Sequence, residues 1–338
     1  MKKSLKRFFA AGLTAAMVMS MGMTAMAAGT INATSVTFKK AYTVTGNTEA
    51  VTFPYEKLEF TVEADSANPE DKLITIGADK DNTHDVIANA DTLTINIPKY
   101  EKVGQYLYTV TEKDVKTQGV GYKAESFKVE ILAYHNPANY DDIITDCAIQ
   151  KLDGSDKLDT ITNTYDLGTL AVKKTVSGNL ADQTKEFDVT VTFKTEDGKT
   201  VNSDITYDTN TEGVKTIEKG WTGEKAVVIS LRHNETITFK DIPAGVTYTV
   251  EEADYVSLAS DTNARENDEN GYDDPKYTYS DEDKAITQSD EDTVTINNNK
   301  ESEINTGISL DNMPYFMVLA LVALGLVGFV SKKRSIEF

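Results

Sequence analysis

The sequence of 338 residues has one cysteine, Cys147, so it cannot form an intrachain disulfide bond. Its three histidines, His84, His135 and His233, lie too far apart for a metal-ligand spacing. Basic residues are also scarce, at 34 against 54 acidic ones, and the formal net charge is -20. Since nucleic-acid phosphates would repel so acidic a chain, a nucleic-acid partner is not expected. These shortages also argue against zinc fingers, iron–sulfur proteins and most cysteine or zinc hydrolases.

The first 27 residues have the features of an export signal. They combine a basic start, an apolar run from Phe8 and the small-x-small ending Ala25-Met26-Ala27. This order is typical of a secretory signal peptide that is cleaved after Ala27. A membrane anchor is the alternative, but small residues dilute the apolar run. We therefore expect the mature chain to be secreted.

The other end of the chain, residues 301–338, predicts a second targeting signal. Residues 313–330 are almost all apolar and reach the lower length limit for crossing a bilayer, and the basic residues 332–334 would keep that end cytoplasmic. A simple tail anchor is one interpretation. The preceding EINTG segment, however, resembles the cell-wall sorting signal of Gram-positive bacteria, in which a sortase cuts between Thr306 and Gly307. The segment lacks the leucine and proline of the common Leu-Pro-x-Thr-Gly form.

Between residues 30 and 300 the chain shows little helical periodicity and many short runs of alternating apolar and polar residues. Thr, Val, Tyr, Ile and Phe dominate these runs, as is typical of half-buried strands. The first half contains SVTFKK, LEFTVEA, TLTINIP, YLYTVTE and SFKVEILAY, and the second half contains TLAVKK, FDVTVTF, AVVISL, ETITFKDIP, TYTVEE and TVTINN. Short strands with no helices between them predict a sandwich of antiparallel sheets.

Three landmarks occur twice in the same order along the chain. They are Lys40 and Lys174, Glu112 and Glu252, and Asn163 and Asn298. The members of these pairs are 134, 140 and 135 residues apart. A nearly constant offset indicates a duplicated unit. We therefore predict two β domains, residues 28–165 and 166–300.

Strand parity places all six landmark residues on the same faces as apolar residues. Lysine and glutamate are rarely buried without a partner, although strand-end placement with the charged ends reaching solvent is an alternative. A self-formed Lys–Asn isopeptide bond explains the three residue types together. Burial favours a neutral, nucleophilic lysine, and a protonated glutamate can polarise the asparagine carbonyl and shuttle protons while ammonia leaves. A shift of one residue gives the alternatives Lys39, Lys173, Glu251, Asn297 and Asn299, which have the opposite parity.

The chain resembles the major pilins of Gram-positive sortase-assembled pili, particularly the two-domain streptococcal shaft type. The resemblance lies in LAVKKTVSGN, KDIPAGVTYTVEEADY, VTINNNK and EINTG, and in SVTFKKAY, GQYLYTVTEKD and ITNTYD in the first half. It implies two immunoglobulin-like domains with bonds from Lys40 to Asn163 and from Lys174 to Asn298. Glu112 and Glu252 would be the catalytic glutamates. It also implies that Lys157 accepts the Thr306 acyl group of another subunit, with Lys151 as the alternative.

The resemblance implies a structural role at the cell surface, with no cofactor and no metal. The expected partners are identical pilin subunits and a sortase, and tip pilins, base pilins and host ligands are further candidates. A monomeric wall-anchored adhesin built from the same domains is the alternative function. An enzyme acting on an external substrate ranks third, because the sequence shows no conventional catalytic set.

Three other features are given ordinary structural interpretations. Residues 260–284 are rich in oxygen ligands, but Tyr277 occupies the position at which a calcium loop needs glutamate, so we expect a solvated loop. Trp221 could form a contact patch, although local packing is the simpler interpretation. We expect Cys147 to be a buried or idle thiol.

Overall fold

The computed structural model of the chain describes residues 32–46, 53–123, 126–209, 212–255, 271–288 and 291–301. Within these ranges the secondary structure consists of strands, and no helix is present. The strands of the first half are β1 (Ser35–Thr45), β2 (Lys57–Ala64), β3 (Thr75–Ile76), β4 (Thr83–Asp85), β5 (Asp91–Asn96), β6 (Gly104–Glu112), β7 (Val120–Gly121), β8 (Ser126–Asn136) and β9 (Asn139–Lys151). The remaining strands are β10 (Thr160–Ser177), β11 (Phe187–Lys194), β12 (Ile205–Thr209), β13 (Gly213–Ile217), β14 (Glu224–Leu231), β15 (Thr236–Pro243), β16 (Thr247–Glu252), β17 (Lys276–Tyr279) and β18 (Glu291–Asn299).

The first half forms two layers around one hydrophobic core. One layer contains β3, β5, β1 and the first part of β10 side by side, and the other layer is the sheet β4-β2-β6-β8-β9. Phe38 of β1 meets Phe60 of β2 edge to face, with ring centroids 6.2 Å apart, and both lie in the same buried cluster. Burying a side chain of this size contributes about 2–3 kcal/mol. Alternation places these apolar residues inward, as the strand pattern predicts.

The second half repeats this architecture. The later part of β10, with β15, β12, β13, β18 and β17, faces the sheet β14-β11-β16. Phe193 of β11 packs edge to face on Phe239 of β15, with centroids 5.2 Å apart, within a second buried cluster. The prediction of an all-β sandwich fold is therefore confirmed.

One strand, β10, serves both cores. The sequence suggests separate strands on either side of Gly168, whereas the structure has a single strand of 18 residues. Its early part pairs with β1, its later part pairs with β18, and the pairing with β15 shifts register between Gly168 and Leu170. Gly168 has extended backbone within β10 and does not form a turn, so the chain passes straight from one core to the other. The division into domains at residue 166 stays a prediction.

Polar contacts beside β10 join the two halves. The Gln118 side chain donates to the carbonyl of Ala244 at 2.7 Å and accepts from the backbone amide of Glu196 at 3.1 Å. The Tyr165 and Ser203 hydroxyls are 2.5 Å apart and buried. Each such bond adds about 1 kcal/mol net, and losing one partner in a buried place costs more. The joint is thus held by directional contacts as well as by the shared strand.

Both predicted targeting signals lie outside the described residues. They include the signal peptide at 1–27, the apolar run at 313–330, and Thr306 and Gly307. Within the described ranges, no helix is long and apolar enough to cross a bilayer.

Candidate functional site: two buried Lys–Glu–Asn clusters

The lysine and asparagine of the first cluster come from neighbouring parallel strands. In the β1–β10 ladder, Lys40 is opposite Ile161, and Asn163 is opposite Tyr42. Since alternate residues of a strand share a face, Lys40 and Asn163 point to the same side, two positions apart. Lys40 is 0% exposed and Asn163 is 1% exposed. The parallel pairing of the first and last strands of this core thus places both side chains in it.

The glutamate of the first cluster comes from the facing sheet. Glu112 ends β6, where Tyr106, Tyr108 and Val110 are buried on the same face. Lys40 Nζ donates to both carboxylate oxygens of Glu112, at 2.8 and 2.9 Å. Asn163 Nδ2 donates to Oε1 of Glu112 at 3.0 Å. The carboxylate therefore touches both of its predicted partners inside the core.

The second cluster repeats this geometry. In the β10–β18 ladder, Lys174 is opposite Ile296 and Asn298 is opposite Val176, which is the same two-residue offset as in the first. Glu252 ends β16 of the facing sheet. Its Oε2 lies 2.7 Å from Lys174 Nζ, and its Oε1 accepts a short hydrogen bond from Asn298 Nδ2. The lysine and glutamate side chains are both 0% exposed.

Hydrogen bonding in the second cluster is incomplete. Asn298 Oδ1 has no hydrogen-bond partner among the described residues. Turning the asparagine amide over would exchange its two polar ends and present the carbonyl to the carboxyl group. The second cluster can therefore place a proton donor against the asparagine carbonyl without moving the backbone.

Burial favours the neutral form of one group in each cluster. It raises the pKa of the Glu112 carboxyl above its ordinary value, although the neighbouring Lys40 opposes the shift. Burial lowers the pKa of the Lys174 ammonium, and here Glu252 opposes the shift. Removing two charges from water costs several kcal/mol per ion, which their attraction repays only in part. A reaction that consumes the amine would remove this cost.

The one-residue alternatives lie on the other strand faces. Lys39, Lys173, Asn297 and Asn299 are half-buried, and Glu251 is exposed. Asn297 and Asn299 instead bond to the hydroxyls of Thr175 and Ser177 at 3.0 Å. The structure thus brings together the six residues chosen by parity and leaves the alternatives outside both clusters.

A buried acid beside the first cluster escaped the sequence analysis. Glu56 lies just before β2, is 3% exposed, and accepts short hydrogen bonds from the hydroxyls of Tyr42 and Tyr122. Tyr42 is two residues after Lys40, and the lysine Nζ lies 5.2 Å from its ring centroid. Glu56 has the same parity as Leu58 and Phe60 of β2, so extending that alternating run by two residues would have indicated its burial.

The candidate acceptor lysines lie on the surface, one at the end of β9 and one in the loop between β9 and β10. Lys157 is exposed and forms an isolated bridge with Gln150 of β9. Lys151 is also exposed, and its Nζ pairs with Asp156 at 3.1 Å. The Leu158 amide donates to the Ile149 carbonyl at 3.0 Å, which fixes the loop along the strand. Lys157 is thus presented to solvent six residues before Asn163.

Other features of the sequence take ordinary structural places. Trp221 is 9% exposed and belongs to the second core. Cys147 is half-buried, and burial raises the pKa of its thiol to about 12. Part of the acidic stretch 260–284 lies outside the described residues. Within the described ranges, no three His, Cys, Asp or Glu residues come close enough to hold a metal ion.

Nearly the whole chain is similar to a streptococcal protein. It is 28% identical over 335 residues to a pilin of Streptococcus pyogenes serotype M1, and this match covers 93% of the chain and 96% of the pilin. It is also 32% identical over 142 residues to a pilus tip adhesin of Streptococcus pyogenes, which covers 42% of the chain but 18% of the adhesin.

Comparison of structures agrees with the predicted architecture. A crystal structure of an asparagine-to-alanine mutant of the Streptococcus pyogenes major pilin superposes with a TM-score of 0.51 and 22% identity, covering 80% of this chain and all of that one. This likeness shows the fold, and it confirms the immunoglobulin-like class. Residues 168–300 also match a family described as a domain of unknown function, DUF7601.

Proposed function

We propose that the chain is the shaft subunit of a sortase-assembled pilus, stabilised by a self-formed Lys–Asn isopeptide bond in each half, and its similarity to a pilin of Streptococcus pyogenes supports this. The observation that carries this proposal is the duplicated cluster. Two separate cores each bury a lysine, a glutamate and an asparagine in contact, with the same strand register. A single buried ion pair would be weak support, whereas a repeated set of three residues needs a common cause.

The reaction in each core is an aminolysis that needs no cofactor. The neutral amine of Lys40 attacks the side-chain carbonyl carbon of Asn163, a C–N bond forms, and the asparagine C–N bond breaks to release ammonia. Lys174 and Asn298 react in the same way. Proximity accounts for much of the rate, because the fold holds both groups in contact and they need not meet by diffusion in solution.

Each glutamate acts as the proton carrier. In its protonated form Glu112 donates a hydrogen bond to the asparagine carbonyl oxygen, where negative charge develops, and then delivers a proton to the departing nitrogen. Its contacts to Lys40 at 2.8 Å and to Asn163 at 3.0 Å place it between the two reactants. Glu252 holds the same position between Lys174 and Asn298. The raised pKa of Glu112 and the lowered pKa of Lys174 are the directions that this chemistry requires.

Assembly would use the two ends of the chain and the exposed loop. The signal peptide exports the precursor, and the segment 313–330 holds it at the membrane. A sortase then cuts between Thr306 and Gly307 and passes the Thr306 acyl group to Lys157 of another subunit. The exposure of Lys157 supports this role, since its amine is open to a second protein. The product is a covalent polymer on the cell wall of a Gram-positive bacterium.

The proposed linkage gives the second bond a mechanical role. Tension between Lys157 and Thr306 would enter β10, which carries Lys174, and leave through β18, which carries Asn298. A bond between these two side chains would carry the tension directly from β10 to β18, so the chain between Lys174 and Asn298 would not be stretched. The bond from Lys40 to Asn163 instead closes a covalent loop of chain that contains Lys157, and so stabilises the part of the domain to which the next subunit is attached.

The match to the tip adhesin covers 18% of that protein, so it does not favour the alternative of a monomeric adhesin. The intact mass of the mature chain tests the proposal directly. Two bonds make the folded protein lighter than its sequence by two ammonia molecules. Replacing Glu112 or Glu252 by alanine should restore one ammonia each, whereas an unmodified mass in the wild type would refute the bonds.

A further inference from the structure

Glu56 is a buried acid that the proposed chemistry does not use. Its side chain is held by the hydroxyls of Tyr42 and Tyr122, and it is 3% exposed. The backbone beside it is fixed as well, because its carbonyl accepts from the Val86 amide at 2.9 Å. Burying a carboxyl group costs free energy that hydrogen bonds must offset, and the two hydroxyls provide such bonds here.

A short chain of contacts links Glu56 to the reacting groups. The Tyr42 hydroxyl bonds to Glu56, and the same ring lies 5.2 Å from Lys40 Nζ. Lys40 in turn contacts Glu112 at 2.8 Å, and Tyr42 is the direct strand partner of Asn163. The Tyr42 ring therefore stands between Glu56 and the first cluster.

We propose that Glu56 is a positioning residue for the Lys40–Asn163 bond: anchored by two tyrosines, it keeps the proton on Glu112 and holds the Tyr42 ring against the lysine. The proposal rests on the isopeptide reaction described above. In that reaction the Lys40 amine and the Asn163 amide give the cross-link and one ammonia, and Glu56 is unchanged at the end.

The electrostatic argument follows from two carboxyl groups in one pocket. Like charges in one pocket oppose each other's ionisation, so a negative charge on Glu56 favours the protonated form of Glu112. Glu56 has two hydroxyl donors, and burial keeps both tyrosine pKa values above normal, so the tyrosines remain donors. The pKa of Glu112 is raised first by burial and also by Glu56, against the effects of Lys40 and Asn163. Lys40 and Glu56 are thus the ionisable groups that shift the pKa of Glu112, and the hydroxyls of Tyr42 and Tyr122 hold Glu56 in place.

The second cluster provides an internal comparison. There the ring beside the lysine is that of Phe187, whose centroid lies 4.3 Å from Lys174 Nζ. Phenylalanine has no hydroxyl with which to anchor a second acid. Any effect of Glu56 should therefore be confined to the first bond.

The experiment follows bond formation over time in the mature chain made by cell-free synthesis. Mass spectrometry of tryptic peptides gives the cross-linked fraction of each bond separately, at several pH values. We expect Glu56→Gln to slow the first bond about tenfold at neutral pH, the factor that corresponds to one pKa unit, and to shift its pH optimum downward. The second bond should keep its rate, and Glu56→Asp, which retains the charge, should restore much of the first.

Tyr122→Phe removes one anchor at a distance from the lysine and should produce a smaller change in the same direction. If Glu56→Gln prevents the first core from folding, Tyr122→Phe still tests the role of Glu56. A first bond with wild-type rate and pH optimum in both variants would overturn the role of Glu56 alone. A wild type that forms neither bond would instead overturn the proposed isopeptide chemistry.

Discussion

Replacing Glu252 by glutamine should prevent the second bond while changing little else in the shape of the core. Glutamine has the size of glutamate but cannot deliver the proton that the leaving nitrogen needs. The side chain is fully buried between Lys174 and Asn298, so solvent cannot take its place. The purified variant should therefore be heavier than the wild type by about one ammonia.

The stability lost can be estimated from the loop that the bond closes. Lys174 and Asn298 are 124 residues apart. The chain-entropy relation used for disulfides assigns a loop of this length about 5 kcal/mol at 25 °C. A domain of this size unfolds with a free energy of about 5–15 kcal/mol, so the loss is a large fraction of the total. At about 4 °C per kcal/mol, the melting temperature of the second core should fall by about 20 °C.

A second variant separates the cross-link from the charge. Glu252→Gln also leaves the Lys174 amine without its carboxylate, which adds a penalty if the amine remains charged. Asn298→Ala prevents the same bond but keeps the contact between Lys174 and Glu252. The loss common to both variants measures the cross-link, and the difference between them measures the charge.

The assays are intact mass, thermal unfolding and trypsin digestion of the second core. Glu251→Gln is the matched control, because Glu251 is exposed beside Glu252 and its replacement should leave the ammonia deficit and the melting temperature unchanged. The reasoning fails if Glu252→Gln lacks the bond by mass and yet melts and resists trypsin like the wild type.

The other predictions concern assembly, force, thiol chemistry and pH. Lys157→Ala should abolish the polymer ladder made by the cognate sortase while the monomer still lacks two ammonia molecules relative to its sequence, and loss of the ladder in Lys151→Ala alone would move the acceptor there. Pulling between residues 157 and 301 should extend Glu252→Gln by about 400 Å, the length of the released 124 residues, and Glu112→Gln by far less; equal extension would refute the proposed path. Cys147 should resist alkylation at neutral pH until the chain unfolds, because burial raises its pKa to about 12 and little thiolate exists, and rapid labelling of folded protein would contradict this. In Asn298→Ala, the lowered pKa of Lys174 means that the folded state binds fewer protons than the unfolded state. The stability that the neutral Lys174 amine allows is present above the unfolded pKa of 10.5 and is lost as pH falls through the lower folded pKa. The free energy of unfolding of Asn298→Ala should therefore rise from neutral pH towards 10.5, compared with that of the double variant Asn298→Ala, Lys174→Met.

Strand alternation predicted which side chains would enter the cores. Tyr106, Tyr108, Val110 and Glu112 share one parity, and the structure buries all four. The reason is local, since a pleated strand turns alternate side chains to opposite faces wherever it pairs. Strands with weaker alternation were missed. One is β9, in which Asn139 to Asp142 are all exposed, and another is β13, in which four of the five residues are exposed. Such edge segments become strands because a neighbour supplies the hydrogen bonds.

The sequence by itself determined the all-β class, the duplication and the three residue types that could form a cross-link, because these depend on composition, spacing and parity. Tertiary structure alone decided that β10 runs unbroken through both cores, because a glycine in extended backbone looks the same in sequence as one in a turn. It also decided that each glutamate reaches its lysine from the opposite sheet, and that Glu56 lies beside the first cluster and not the second. These contacts join segments far apart in the chain, and only packing of the two layers brings them within hydrogen-bond distance.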